Sequence, residues 1–236
     1  MKGTFMNGRL RLNAAYYDYE FDGYQTKWDN ITARAYTAAG PGVVQQIQGG
    51  LFNNNDASIS GIDLEYAYVV NADLTLGGSY TSTDSEYAAG STGYANDPSY
   101  SGLAAATRDV SGQRVNDDAE SSLTFYLDHT VPAYWGGERY TRYNVSWRDE
   151  RTSAINPELK IKALYLANII VGWKSSDGVW DASFFVKNIT DDVDLSHIQA
   201  FYSDYHLPGG GSLPSKFYAA NTNMGRQLGA QLVYNF

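Results

Sequence analysis

Apolar and polar residues alternate with a period of two through most of this chain. Leu10, Leu12, Ala14 and Tyr16 are interleaved with Arg9, Arg11, Asn13 and Ala15. Ile62, Leu64, Tyr66, Tyr68 and Val70 alternate with Asp63, Glu65, Ala67 and Val69, and Leu74, Leu76, Gly78 and Tyr80 with Thr75, Gly77, Ser79 and Thr81. The same rhythm carries Leu123, Phe125 and Leu127, then Tyr143, Val145 and Trp147, then Trp180, Ala182, Phe184 and Val186. It returns in the final segment as Leu228, Ala230, Leu232, Tyr234 and Phe236. A strand sends successive side chains to opposite faces, so each segment reads as a strand with one greasy and one wet face. The longest runs from Leu159 through Ile161, Ala163, Tyr165, Ala167, Ile169 and Val171 to Trp173. At about 3.3 Å per residue it reaches roughly 50 Å, far beyond an ordinary globular strand.

The connections alternate in length as well. Asn71–Asp73, Pro132–Gly137 and Ser175–Gly178 are short; 22–57, 88–117 and 190–222 are long, with a shorter one near 152–158. No helix is forced by the pattern, and the alanine-rich stretch 33–39 and Leu103–Thr107 are read as loop. The chain is therefore expected to be all-β: about eight antiparallel strands running up and down. Short turns on one side and long loops on the other are the arrangement of a transmembrane β-barrel, with periplasmic turns and extracellular loops.

Composition changes the picture in three places. Mean hydropathy is −0.39, which would suggest a water-soluble chain, but only alternate residues of a barrel face lipid, so its average stays polar. Net charge is −9 with no basic run, which argues against a nucleic-acid partner. Cysteine is absent, so no disulfide or thiolate metal site is available. Residues 1–6 lack the apolar core of a signal peptide.

Several residues are candidates for function. Gly229, Leu232, Tyr234 and the terminal Phe236 look like the signal that the barrel-assembly machinery reads on a last strand. Trp135, Trp147, Trp173 and Trp180 suit the aromatic girdles at the lipid–water boundaries, and His129 continues an apolar face near such a boundary. Arg142, Arg148, Lys160 and Lys162 are assigned to the lumen, where Asp118, Glu120 and Asp128 would pair with them or leave them free for an anionic ligand. His197 and His206, among Asp191, Asp192, Asp194 and Asp204, are weak metal candidates; their spacing fits no fixed motif, so a solvated acidic loop is the plainer reading. Pro208–Ser212 is glycine-rich but lacks the Lys-Ser/Thr of a phosphate loop. No serine–histidine–acid arrangement is recognisable, and no enzyme or cofactor is expected.

Four segments together resemble the carboxyl-terminal part of the barrel of TonB-dependent outer-membrane receptors. They are LRLNAAYYDY at Leu10–Tyr19 with the following Phe21–Gln25, ASISGIDLE at Ala57–Glu65, VKNITD at Val186–Asp191, and GRQLGAQLVYNF at Gly225–Phe236. Asp63 stands where the family commonly has Glu, and Gly225 where it often has Pro. The resemblance covers nearly the whole chain, taken as one incomplete domain, 1–236. The family's barrel has more strands and an amino-terminal plug, neither of which is found here, so the resemblance implies a piece of a larger receptor. It further implies the outer membrane of a Gram-negative bacterium, a monomer, and TonB-energised uptake of a small ligand: a ferric siderophore, a cobalamin-like cofactor or an oligosaccharide. Two other readings stay open: a complete eight-stranded barrel acting as anchor, adhesin or narrow pore, and a secreted soluble β-sandwich that binds carbohydrate.

Overall fold

The computed structural model describes residues 1–36, 44–95, 104–115, 119–152, 159–206 and 212–236, with side chains described for all of these but 29–30, 32–36, 44–49, 104, 196–206 and 212–217. Its strands in chain order are β1 (Lys2–Phe5), β2 (Leu10–Tyr36), β3 (Val44–Val69), β4 (Leu74–Tyr87), β5 (Thr92–Ala95), β6 (Ala104–Asp109), β7 (Ser121–Pro132) and β8 (Glu138–Arg148). They continue with β9 (Arg151–Thr152), β10 (Lys160–Ile161), β11 (Leu164–Lys174), β12 (Trp180–Lys187), β13 (Leu195–His206), β14 (Ser212–Thr222) and β15 (Gln227–Tyr234). One sheet holds the wall in the order β15-β12-β11-β8-β7-β4-β3-β2, extended by β6 and β5, with β1 beside β2. Every pairing between neighbours in the wall is antiparallel.

The register turns the alternation of each segment into a continuous surface. Leu228, Val186, Ile169, Tyr143, Leu127, Leu76, Tyr68 and Leu10 lie in one row across all eight wall strands. The row Ala167, Val145, Phe125, Gly78, Tyr66 and Leu12 lies on the same face. One step along each strand, the opposite face carries Asn168, Asn144, Tyr126, Gly77, Ala67 and Arg11, and beyond it Leu166, Ser146, Thr124, Ser79, Glu65 and Asn13. A shift of one residue in any pairing would reverse that strand's faces, so the pattern fixes the register.

Among the described residues no second layer covers the apolar face. Leu228 is 67% exposed, Leu232 66% and Phe184 52%. The chain exposes 14586 Å², against about 10,500 Å² for a compact globule of its mass. A sandwich would bury these residues against a facing sheet, so the soluble alternative does not describe this fold. The closed eight-stranded barrel does not either: among the described residues β15 pairs only with β12 and leaves its other edge open.

Ring-over-glycine pairs stud the opposite face. Tyr17 lies over Gly61, Tyr126 over Gly77, Tyr140 over Gly172 and Phe185 over Gly229, each directly across the ladder. A methyl group at any of these glycines would collide with the ring.

Three sequence expectations change. The stretch 22–57 is not a loop up to its tip: β2 and β3 remain paired from Tyr24↔Asn55 to Tyr36↔Val44, with irregularities at Phe21/Tyr24 and Trp28/Ile31. The stretch 88–117 contains the β5–β6 pair, and 190–222 contains a β13–β14 hairpin. The strand at 159–173 is interrupted, because the chain leaves the ladder at Lys162 and Ala163 and Ile161 is buried at 3% exposure. The remaining 11 residues of β11 still reach about 36 Å, enough to cross an apolar band of about 25 Å at a barrel-like tilt.

Candidate functional site

The turn end of the wall gathers exposed aromatic rings. Short turns close on themselves there: Asp73 N–H donates to Asn71 Oδ1 at 2.9 Å, and Val179 N–H to Asp177 Oδ1 at 3.0 Å. Hydrogen bonds from the Ser175 hydroxyl and the Val179 amide hold the Asp177 carboxyl below the usual aspartate range. Trp135 stands in the turn between β7 and β8 at 69% exposure. Trp173 donates its indole N–H to Gly136 O at 2.8 Å. Trp180 packs on Tyr234 with centroids 4.8 Å apart, and Tyr234 lies 6.4 Å from Phe236, which is fully exposed. Leu232 shares this outward face, whereas Gly229 points the other way, beneath Phe185. Trp147 is at the far end of β8, eight positions from Arg139, the cross-strand partner of Trp173; that is roughly 26 Å along the strand. His129 faces outward between Leu74 and Thr141.

The charged residues divide by location. Arg142 meets Asp128 at 3.6 Å, directly across β7 and β8 on the polar face, with its guanidinium 5.0 Å from the Tyr140 ring. Arg148 pairs with the buried Asp194, and Lys162 with Asp192. Lys160 is exposed opposite Thr152 and makes no ion pair among the described residues. Glu120 is near Arg114, at 3.8 Å, and Asp118 lies outside the described residues.

Of the acids after β12, Asp194 is buried and Asp192 half-buried, while Asp191 stays exposed. Asn188 is 6% exposed with φ of 51°. Its amide donates to Asp192 O at 2.9 Å and to Met224 O at 3.3 Å, and its Oδ1 accepts from Asp192 N–H at 3.1 Å. Asp191, with φ of 56°, accepts from Arg226 N–H at 2.7 Å. Asp192 accepts from Tyr165 N–H at 3.0 Å, and Thr190 donates its hydroxyl to Tyr165 O at 2.7 Å. Those bonds take over the backbone of β11 at its interrupted start. The Asn-Ile-Thr-Asp run thus ties together the start of β11, the end of β12 and the entry to β15. The ammonium of Lys162, followed by the Tyr165 amide, holds the Asp192 carboxyl below the ordinary aspartate range. The motif was visible in the sequence; its role was not, because its partners lie far along the chain.

His197 and His206 sit at separate positions of β13, paired in register with Asn221 and Ser212. Nine residues of strand separate them by roughly 30 Å, and their side chains lie outside the described residues, as do Asp204 and most of the glycine-rich run 208–212. Among the described residues no cluster of three or more His, Cys, Asp or Glu is placed to hold a metal ion.

At the loop end, Trp28, Ile31, Ala57, Tyr87, Val110 and Val115 form the main buried cluster. Asn55 holds β5 like a strand partner: its amide donates to Thr92 O at 2.9 Å and its Oδ1 accepts from Thr92 N–H at 3.0 Å. Below this cluster a file of rings climbs the polar face of β2. Tyr17 and Tyr19 stack at 5.8 Å, Tyr19 and Phe21 lie 6.1 Å apart, and Phe21 meets Tyr24 edge-on at 5.5 Å. Tyr19 and Phe21 are 55% and 37% exposed.

No protein-family model matches the chain, and no curated protein matches it in sequence. Solved structures do resemble it. The siderophore receptor PiuA from Acinetobacter baumannii aligns with a TM-score of 0.63 over 98% of this chain at 13% identity. The ferric yersiniabactin uptake receptor FyuA from Yersinia pestis aligns at 0.58 over 100% of this chain, with 11% identity. The pyoverdine outer membrane receptor FpvA from Pseudomonas aeruginosa, solved with pyoverdine bound, also aligns at 0.58 over 100%, with 13% identity. The chain spans 27%, 36% and 28% of those proteins, respectively. At these identities the likeness is one of fold: an all-β, antiparallel, up-and-down wall like that of outer-membrane β-barrels. These neighbours are receptors rather than enzymes.

Proposed function

We propose that residues 1–236 are the carboxyl-terminal portion of a TonB-dependent receptor barrel in the outer membrane of a Gram-negative bacterium. In this reading the receptor imports a scarce nutrient, first among the candidates a ferric siderophore. The observation that carries it is the unbroken outward row from Leu228 to Leu10, apolar and partly exposed along its length, backed by a polar opposite face. Hydrocarbon is the solvent such a face fits, and backbone groups inside a bilayer must pair within the wall, as those between neighbouring strands do here; the open edge of β15 is where the rest of the barrel would join.

The other elements take roles accordingly. Leu232, Tyr234 and Phe236, with Gly229, present the last strand to the barrel-assembly machinery. Trp135, Trp173 and Trp180 mark one lipid–water boundary and Trp147 the other. The polar face lines the lumen and meets a plug, and the ring file from Tyr17 to Tyr24 leads ligand down from the loop cluster. Energy arrives through TonB acting on that plug, and the receptor works as a monomer.

The test is uptake in cells. A strain lacking this gene is expected to lose accumulation of a labelled ferric siderophore, and a strain lacking TonB to show the same loss. Loss of labelled cobalamin or oligosaccharide instead would move the ligand to that class. Normal uptake of all three would defeat the proposal.

A further inference from the structure

Arg139 is an anomaly on the outward face. The outward positions of β7, β8, β11, β12 and β15 are otherwise aliphatic, aromatic, Ser121, His129 or Thr141. Arg139 sits among them as the one arginine or lysine, between Val131 and Trp173 in the ladder. It is exposed and makes no hydrogen bond or ion pair among the described residues. It lies one residue inside β8, at the turn end of the wall. Trp135, beside it in the turn, likewise has no hydrogen-bond partner for its indole N–H among the described residues, and is 69% exposed.

Next to this pair runs a groove of about 710 Å³, lined by Trp135, Arg139, Val171, Trp173, Phe184 and Leu232. Its two ends differ in chemistry. Arg139, Trp173 and Leu232 share the ladder row nearer the turns, with Trp135 beside them; Val171 and Phe184 form the next row toward the middle of the apolar band. A cation and amphipathic rings at the head of an apolar channel match the order of parts in a phospholipid. We infer that this groove is a phospholipid site: the phosphodiester sits on the Arg139 guanidinium, Trp135 donates to the headgroup, and an acyl chain passes between Trp173 and Leu232 onto Val171 and Phe184. The charge favours an anionic headgroup, phosphatidylglycerol over phosphatidylcholine. The inference rests on the membrane reading proposed above, and it adds a lipid-selective position to a face that otherwise needs only hydrocarbon.

The experiment uses the receptor that carries residues 1–236 as its carboxyl-terminal portion, inserted in phosphatidylcholine vesicles, and follows the tryptophan fluorescence that Trp135→Phe removes as it is quenched by lipids brominated on their acyl chains. Brominated phosphatidylglycerol is expected to quench about fivefold more effectively per mole than brominated phosphatidylcholine, the preference one arginine gives at an anionic headgroup. Arg139→Gln should bring the ratio to about one while leaving quenching by phosphatidylcholine intact, which shows that the variant still inserts. Arg139→Lys should retain most of the preference. Lys174→Gln, which removes a cation from the polar face of the neighbouring strand, should leave it unchanged. Equal quenching by both lipids in the wild type, or an unchanged ratio in Arg139→Gln, overturns the site alone. An absence of quenching by either lipid overturns the membrane reading with it. Quenching that falls as protein concentration rises would put a second copy of the chain in the groove and overturn the lipid assignment.

Discussion

Asn188 concentrates more of the structure in one side chain than any aliphatic residue of the wall. It is buried, adopts a left-handed backbone and supplies donors and an acceptor to segments on both sides of a long excursion. Asn tolerates that backbone better than alanine does. Asn188→Ala should therefore cost about 3 kcal/mol, from unmatched buried groups and backbone strain together. Asn188→Gly, which loses the amide but relieves the backbone, should cost about 1 kcal/mol less. Urea unfolding of the vesicle-inserted chain gives both values, and equal losses would show that the left-handed conformation contributes nothing. Asp192 adds a pH signature. Its folded carboxyl is held below the ordinary value by Lys162 and the Tyr165 amide, so the stability it provides is complete above the unfolded aspartate value, near pH 4. That stability fades as pH falls through the lower folded value. Unfolding free energy measured from pH 6 down to 2 should decline, and Asp192→Asn should remove part of the decline. An unaltered profile in the variant would mean that the ion pair is absent in solution.

Scaled up to the strand, the two faces make opposite predictions for the same substitution. Val171 points outward at 48% exposure, and Ser146 points to the polar face of the adjoining strand. Val171→Arg, one outward-facing position inside Trp173, should destabilise the bilayer-inserted chain by about 1–2 kcal/mol, between the interface and midplane costs; Ser146→Arg should change it by no more than about 0.5 kcal/mol. The same unfolding measurement compares them, and equal costs would sink the assignment of faces. This asymmetry was readable in advance because a period of two needs only local residues: Leu64, Tyr66 and Tyr68 declare their face without knowing their partners. The loop end was not readable in that way. Trp28, Tyr87, Val110 and Val115 bury one another across a long sequence separation, and β5 is held by the side chain of Asn55, distant from it in the chain. The charged residues were half legible: Arg142 and Asp128 face each other across one ladder step, whereas Arg148 and Lys162 reach acids beyond β12 that no local pattern connects to them.

For the molecule as a whole, the question is how a wall with an open edge at β15 becomes part of a membrane. Phe236 makes few contacts among the described residues. It is fully exposed, follows the last paired residue, and has one ring neighbour, Tyr234, at 6.4 Å. If its value lay in folded-state packing, truncation would lower stability. If its value lies in recognition during assembly, truncation should alter the path and spare the product. Phe236→Ala is accordingly expected to change the unfolding free energy of the inserted chain by less than about 0.5 kcal/mol, while the amount reaching the outer membrane of growing cells falls severalfold. Membrane fractionation of cells expressing the two chains at equal synthesis rates measures the second quantity, and unfolding from vesicles the first. Normal assembly of Phe236→Ala would remove the terminal aromatic from the assembly signal and leave the apolar row from Leu228 to Leu10 as the feature that directs the chain to lipid.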